Sequence, residues 1–183
     1  MIQTIVYPFL LVSLLMTACN STTATFTPLP KPATAVRNWF GIELTDVQTG
    51  ETFTMNDYAG KVVLVETMAM WCPNCIVQAN EVRKLHELLG NTEELVSVSL
   101  DVDVNEDAAS LKEYTEEVGF DWHYAIAPRE IARALGNLYS AQYLNPPLSP
   151  MLVIDRNGDV HQLEYGQKSA ASLEEFLRPY LTP

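Results

Sequence analysis

Two cysteines separated by two residues, Cys72 and Cys75, are the side chains of this sequence best suited to covalent chemistry. Pro73 suits the first turn of a helix, where its missing N–H has no intrahelical partner. Residues 74–89 continue with apolar side chains at helical spacing, which places Cys72 at a helix N-terminus and Cys75 about one turn further in. The helix dipole favours a thiolate at Cys72 and lowers its pKa. We therefore predict that Cys72 attacks a disulfide and that Cys75, more buried, resolves the mixed disulfide.

The residues just before the pair predict a buried strand. Residues 62–65 are apolar and mostly β-branched, which is typical of a strand covered on both faces. Glu66 continues this strand, six residues before Cys72. Because burial makes a carboxylate expensive, we expect a raised pKa for Glu66 and a role in accepting the proton of Cys75. The alternative is a glutamate at the end of the strand whose carboxylate reaches solvent.

A Cys-x-x-Cys pair can also form half of a zinc site, and such a site needs two further ligands. The sequence has three histidines, His86, His123 and His161, and none is paired at ligand spacing. His123 and His161 are interpreted as structural, and His86 as a surface residue of the helix. We therefore predict no metal and no cofactor other than the disulfide that Cys72 and Cys75 can form.

The stretch from Trp71 to Cys75, together with residues 60–65 before it, resembles the thioredoxin superfamily. The match is to the TlpA/ResA-type branch of extracytoplasmic, membrane-anchored thiol–disulfide oxidoreductases, and it covers residues 39–181. The resemblance implies an α/β, thioredoxin-like fold with a central mixed sheet flanked by helices and an N-terminal β-hairpin extension. It also places Glu66 at the position of the buried acid of the family. One departure is Met68-Ala-Met70, where the family has an aromatic pair.

The resemblance implies a second half of the site around Pro150, at the position of the cis-proline that faces the cysteines in the family. A cis bond after Ser149 is expected, because proline reduces its cost to about 0.5–1 kcal/mol. The backbone of Ser149 would then bind an extended substrate segment, and Trp71 and Pro73 would complete the substrate-binding surface. The alternative is an ordinary trans proline that begins an edge strand.

The activity implied by the resemblance is thiol–disulfide exchange in cell redox homeostasis outside the cytoplasm. The expected partner is an exported protein with a disulfide or dithiol, for example in cytochrome c or copper-site maturation, and a membrane electron donor would keep the pair reduced. The branch usually reduces its substrates, but the Pro-Asn dipeptide between the cysteines leaves the direction open.

A copper metallochaperone resembling the Sco-type proteins is the alternative function. Cys72, Cys75 and a histidine would bind copper(I), and Met68, Met70 and Met151 add soft sulfur nearby. Two features oppose it. Sco-type sites use a wider Cys-x-x-x-Cys spacing, and a proline ring beside the sulfurs would obstruct further ligands.

The N-terminus predicts export and a lipid anchor. Residues 1–18 are uncharged and mostly apolar, short for a spanning helix, and end in small residues before Cys19. They resemble a bacterial lipoprotein signal peptide, which implies cleavage before Cys19 and attachment of acyl chains to its sulfur. An uncleaved anchor helix and a cut elsewhere are the alternatives. Residues 19–38, rich in threonine, alanine and proline, predict a flexible linker, and residues 39–183 the folded domain.

The net charge of −12 argues against some classes of partner. All 23 acidic residues lie at or after Glu43, so the predicted domain is more acidic than the whole chain. Nucleic acids and anionic lipid surfaces would be repelled, so we predict no nucleic-acid partner and a membrane contact only through the lipid anchor.

The remaining patterns predict the elements around the site. A hairpin is expected around residues 48–50 and a tight turn at residues 156–159. A capping box at Ser172 predicts the start of the terminal helix. The other predicted elements are strands over 95–100, 122–127, 151–154 and 160–165, and helices over 108–118 and 128–135.

Overall fold

The structure is a computed structural model that describes Met1, residues 38–90 and residues 92–181. The predicted lipidation site Cys19, the predicted signal peptide apart from Met1, and the predicted linker apart from Asn38 lie outside these residues and remain predictions. No helix among the described residues combines the length and apolar character needed to cross a bilayer.

The described residues form seven strands, four α-helices and four short 3₁₀ helices. The strands are β1 (Leu44–Thr45), β2 (Thr52–Phe53), β3 (Val62–Met68), β4 (Leu95–Asp101), β5 (His123–Ile126), β6 (Met151–Ile154) and β7 (Val160–Gln162). The helices are α1 (Pro73–Leu89), α2 (Ala108–Val118), α3 (Arg129–Leu138) and α4 (Ala170–Leu181). The 3₁₀ helices are Asn38–Gly41, Met55–Tyr58, Ala141–Leu144 and Pro146–Leu148.

Strand β3 lies at the centre of a five-stranded mixed sheet with the order β5-β4-β3-β6-β7. It pairs in parallel with β4 and antiparallel with β6, and all seven of its residues are buried, as the apolar run predicts. Glu66 therefore lies in the middle of the sheet, opposite Ser99 of β4 and Met151 of β6. Strands β1 and β2 form a separate antiparallel hairpin. The predicted mixed sheet and N-terminal hairpin are both confirmed.

Apolar clusters cover both faces of the sheet. Alternate residues of β3 point to opposite faces, so Val62 and Leu64 belong to one cluster and Val63 and Val65 to the other. Helices α1, α2 and α4 contribute to the first cluster, and α3 with the N-terminal segment contributes to the second. Burial on both faces holds β3 in the interior, where it positions Glu66 and the segment before Cys72.

Helix α1 buries a narrower face than its apolar residues predict. Val77 and Leu88 are two of the apolar residues of this helix, but both are exposed. The fully buried position next to Val77 is taken by a polar residue, Gln78, which finds hydrogen-bond partners inside the protein. Glu81, also on this helix, accepts a hydrogen bond of 2.8 Å from the backbone N–H of Ala170.

Three predicted boundaries of helices and strands are wrong. Helix α3 continues through Gly136 to Leu138. Gly136 lies inside the helix and packs against Leu144, since an added Cβ would lie 3.4 Å from that side chain. Helix α4 begins at Ala170 rather than after Ser172, whose N–H is bonded to Ser169 Oγ. Strand β7 ends at Gln162 rather than at residue 165.

Candidate active site

Cys72 and Cys75 form a disulfide at the start of α1, with their Cα atoms 5.3 Å apart. Cys72 is the N-cap of the helix, and Pro73 occupies the first turn. The backbone N–H of Cys75 donates to Cys72 Sγ at 3.2 Å. The predicted placement of the pair is therefore confirmed, and the N–H of Cys75, which also bonds Cys72 O at 3.1 Å, is directed at the first sulfur.

Burial does not distinguish the two sulfurs, because both cysteines are almost fully buried. Their polar partners do distinguish them. Cys72 Sγ accepts an N–H, whereas Cys75 Sγ lies 3.5 Å from the carbonyl oxygen of Pro146. A donor stabilises a thiolate, and a carbonyl stabilises a thiol that donates to it. In the reduced protein this arrangement favours the thiolate at Cys72 and the protonated thiol at Cys75.

An exposed apolar surface adjoins the disulfide. Trp71 is 56% exposed and, together with Val104, Leu144 and Pro146, lines a shallow cleft. The indole N–H of Trp71 donates to Asp103 Oδ2 at 2.6 Å, which fixes the orientation of the ring. Pro73 is also exposed, so the two predicted surface residues next to the sulfurs are both accessible.

The loop after β4 holds the segment before Cys72, and sequence analysis missed its importance. Glu106 Oε2 accepts the backbone N–H of Met70 at 2.8 Å, and Asp103 accepts from Trp71. Asp101, fully buried, faces Glu106, and burial together with that neighbouring carboxyl raises the pKa of Asp101 to about 8. The sequence could have indicated this contact, because the carboxyl ends of neighbouring parallel strands meet at one edge of a sheet. Strands β3 and β4 are such a pair.

Glu66 is only 3% exposed, so the alternative of a carboxylate that reaches solvent is wrong. Its Oε1 atom has no hydrogen-bond partner among the described residues. Burial raises the pKa of Glu66 to about 8, and the positive charge of Lys168 partly offsets that rise. The expected direction of the pKa shift is confirmed.

Lys168 is a half-buried cation that the sequence did not single out. Its Nζ donates to the carbonyl oxygen of Ser149 at 2.6 Å and to that of Gly166. Burial lowers the pKa of Lys168 to about 8, and the negative charge of Glu66 opposes that fall. A lone lysine in a loop carries no pattern that would reveal such contacts.

The predicted cis bond before Pro150 is wrong, since the bond is trans. The chain turns instead at Ser149, which adopts a left-handed conformation (φ 45°, ψ 56°) and donates its N–H to Pro146 O at 2.8 Å. This turn directs Pro150 to β3, where the carbonyl of Pro150 accepts the N–H of Thr67. The chain reaches this position with the trans peptide bond that is intrinsically favoured. Pro150 thus precedes a strand inside the sheet, not an edge strand.

Ser149 is fully buried, and both of its backbone polar groups have partners within the protein. Its predicted contact with an extended substrate segment stays a prediction. In this conformation the accessible side of the site is formed by Trp71, Pro73 and the cleft residues rather than by Ser149.

The histidines are held by polar neighbours. His123 bonds Asp46 at 2.6 Å, and His161 bonds Asp155 at 2.7 Å. His86 is partly buried rather than on the surface, since it bonds Ser97 at 2.8 Å and its ring meets the edge of Trp122. Among residues 38–90 and 92–181, the structure has no cluster of three or more acidic, histidine or cysteine side chains arranged to hold a metal ion.

The sequence model of the Redoxin family matches residues 25–177. The chain belongs to the Redoxin family. No curated protein sequence matches it. Solved structures do: a thiol:disulfide interchange protein of the thioredoxin family from Chlorobium tepidum has a TM-score of 0.62 at 21% identity, covering 77% of this chain and 93% of that one.

Two further solved structures share the fold. DsbF from Mycobacterium tuberculosis has a TM-score of 0.61 at 17% identity, covering 79% of this chain and 97% of that one. StoA from Bacillus subtilis has a TM-score of 0.58 at 10% identity, covering 74% of this chain and 94% of that one. These likenesses confirm the thioredoxin-like fold. Membership in the Redoxin family, together with the Cys72–Cys75 disulfide, makes the chain a thiol–disulfide oxidoreductase.

Proposed function

We propose that this redoxin works outside the cytoplasm and reduces disulfides in exported proteins. One solved relative in fold, at 13% identity and a TM-score of 0.57, is a secreted disulfide oxidoreductase of Mycobacterium tuberculosis. The uncharged apolar stretch before Cys19 supports export of this chain as well. The partner is an exported protein that carries a disulfide, with cytochrome c or copper-site maturation as the candidate setting. A membrane-bound dithiol donor returns the cysteine pair to its reduced form.

The observation that carries this proposal is the opposite environment of the two sulfurs. Cys72 Sγ receives an N–H at 3.2 Å, and Cys75 Sγ faces a carbonyl oxygen at 3.5 Å. The first sulfur is therefore suited to attack and the second to wait as a thiol. A structural disulfide would need no such difference.

The reaction begins when the Cys72 thiolate attacks one sulfur of the partner disulfide. The disulfide bond of the partner breaks as a mixed disulfide forms between Cys72 and the attacked sulfur. The other partner sulfur leaves as a thiolate and takes a proton from solvent. Cys75 then loses its proton and attacks Cys72 Sγ. The mixed disulfide breaks, the second partner thiol is released, and two electrons have passed from the cysteine pair to the partner.

Glu66 accepts the proton of Cys75 in the second half of the reaction. Its buried carboxyl has a pKa of about 8, so the carboxylate form is a strong enough base to take a proton from a thiol. The oxidised protein then carries the proton on Glu66 and releases it to solvent. In the reverse direction Glu66 returns the proton to Cys75.

The partner docks on the apolar cleft beside the disulfide. Trp71, Leu144 and Val104 are exposed, and Val104 is 86% accessible. Exposed apolar side chains grouped next to a reactive sulfur are typical of a surface that binds another protein. Pro73 lies at the edge of this surface and contacts the segment around the partner cysteine.

The test is a reductase assay in which dithiothreitol supplies electrons and precipitation of insulin reports the product. We expect Cys72→Ser to abolish activity and Cys75→Ser to accumulate a mixed disulfide with the substrate. Iodoacetamide should alkylate Cys72 faster than Cys75 near neutral pH, and Cys19→Ser should leave the assay unchanged. Equal alkylation rates for both thiols, or one bound copper ion per chain, would overturn the proposed reduction of exported proteins in favour of another use of the pair.

The lipid anchor is tested separately. We expect a palmitate analogue to label the full chain in bacteria and to label Cys19→Ala not at all. Unchanged labelling of that variant would remove the anchor at Cys19 and leave the exchange chemistry unaffected.

A further inference from the structure

Gln78 holds Lys168 through its backbone. Gln78 lies three residues after Cys75 on α1 and is fully buried. Its Nε2 donates to the carbonyl oxygen of Lys168 at 3.0 Å, and its Oε1 accepts the N–H of Lys168 at 2.7 Å. A side-chain amide with two such bonds fixes the loop between β7 and α4 to the helix that carries the cysteines.

The side chain of Lys168 leads from this clamp into the site. Its ammonium bonds the carbonyl oxygens of Ser149 and Gly166, and Ser149 directly precedes Pro150. The charge of Lys168 lowers the pKa of Glu66, and the charge of Glu66 raises that of Lys168. The ammonium therefore binds the turn before β6, and its charge also acts on the acid of β3.

We propose that Lys168, clamped by Gln78, is a positioning residue that keeps Glu66 able to ionise and the Ser149 turn in place while the mixed disulfide is resolved. This inference rests on the proposed function. It assigns to a loop lysine the task of stabilising the carboxylate that receives the proton of Cys75. Gln78 provides the geometry, because it ties the lysine to the helix on which Cys75 itself lies.

The physical reason is the cost of a buried carboxylate. Glu66 Oε1 lacks a hydrogen-bond donor among the described residues, and the positive charge of Lys168 favours the ionised form of this carboxyl. The other titratable groups that interact with Glu66 are Tyr114 on α2 and Tyr124 on β5. Burial raises the pKa of both tyrosines, so both stay neutral over the pH range of thiol exchange. The ammonium is thus the positive charge that lowers the pKa of Glu66, and it is present below the Lys168 pKa of about 8.

The experiment compares Lys168→Gln, which removes the charge but keeps hydrogen-bond donors, with Lys168→Arg, which keeps the charge. The matched control is Lys112→Gln, which removes an exposed lysine on α2. The Nζ of this lysine donates to Gln48 O at 3.5 Å. Two quantities are measured on the full chain across about pH 6 to 10. One is the carboxyl ¹³C shift of Glu66 in the oxidised protein, and the other is the rate at which the reduced protein resolves a mixed disulfide with a peptide.

We expect the Glu66 titration to move to higher pH in Lys168→Gln, because the stabilising charge is gone. The resolution rate near neutral pH should fall by about threefold or more, which corresponds to a shift of about half a pKa unit. Lys168→Arg should keep most of the rate, and Lys112→Gln should match the unmodified protein. Gln78→Met, which leaves the lysine in place, should move the titration in the same direction by less.

Each result supports or overturns the inference. An unchanged Glu66 titration in both Lys168→Gln and Gln78→Met overturns it, and so does an equal loss of rate in Lys168→Gln and Lys168→Arg. If Lys168→Gln does not fold, as seen by circular dichroism, Gln78→Met and Lys168→Arg still decide the matter. Failure of the proposed relay itself is seen differently, as a Glu66→Gln variant whose rate matches the unmodified protein at every pH.

Discussion

Two buried carboxyls on neighbouring strands have similar proton affinity for different reasons. Glu66 on β3 and Asp101 on β4 each have a pKa of about 8, and burial is the largest cause for both. The second-largest cause acts in opposite directions on the two pKa values. Lys168 lowers the pKa of Glu66, whereas Glu106 raises that of Asp101, against a smaller lowering by the backbone N–H of Asp103.

The comparison shows that a shifted pKa alone does not identify a proton relay. Burial and the neighbouring carboxyl of Glu106 both favour the protonated form of Asp101, while Asp101 Oδ1 accepts the N–H of Asp103 at 2.9 Å. Asp101 therefore supports the loop that binds Met70 and has no positive neighbour among the causes of its pKa shift. Glu66 has an opposite charge that allows it to ionise inside the protein, which is what a base needs.

The largest effect is expected on activity. Glu66→Gln should slow insulin reduction about tenfold near pH 7.5, because the proton of Cys75 loses its acceptor, whereas Asp101→Asn should stay within about twofold. In the unmodified protein the resolution rate should rise as pH increases through the Glu66 pKa of about 8, and the Glu66→Gln profile should lack this step. Equal losses in the two variants would remove the distinction between the two acids.

The next effect concerns stability and pH. Both acids have a folded pKa above the unfolded value, so each contributes stability at low pH that is lost as pH rises through about 8. Asp101→Asn should therefore raise the free energy of unfolding at about pH 9 by about 1–2 kcal/mol and change it little at about pH 5.

Glu66→Gln should stabilise the protein less than Asp101→Asn does, because the glutamine also loses its attraction to Lys168. Urea unfolding at both pH values measures the two gains. A larger gain for Glu66→Gln would show that Lys168 does not compensate the charge of Glu66.

A smaller effect is expected on the pKa of Asp101, and it distinguishes the surroundings of Asp101 from those of Glu66. Glu106→Gln keeps an acceptor for the N–H of Met70 but removes a negative charge beside Asp101, so the pKa of Asp101 should fall by about one unit. Carboxyl ¹³C shifts across pH measure this change. Loss of the positive neighbour of Glu66 should move its pKa in the opposite direction, and parallel shifts would contradict the assignment.

The smallest effect is expected for Asp103. Its hydrogen bond to the indole of Trp71 lies at the surface, so Asp103→Ala should change the insulin rate by less than about threefold. The tryptophan emission should nevertheless respond, because the ring loses its acceptor. A loss of activity as large as that of Glu66→Gln would make the orientation of Trp71 a main determinant of exchange.

Local patterns were enough to predict the centre of this site. The apolar run of β3, the proline after Cys72 and the helical spacing of α1 each depend on near neighbours, and the structure has all three. The raised pKa of Glu66 followed because its strand is apolar on both sides. The cis bond at Pro150 was expected from resemblance alone, and the left-handed turn at Ser149 that replaces it has no local signature in the sequence.

The sequence by itself determined the reactive pair, its helix and the buried acid before it, because dipole, spacing and hydrophobicity act over a few residues. Only the tertiary structure decided which groups surround these atoms: the carbonyl of Pro146 at Cys75, the ammonium of Lys168 near Glu66, and the acidic loop that holds Met70 and Trp71. Those partners come from segments up to 102 positions away along the chain, as for Lys168 and Glu66, and folding rather than spacing brings them together.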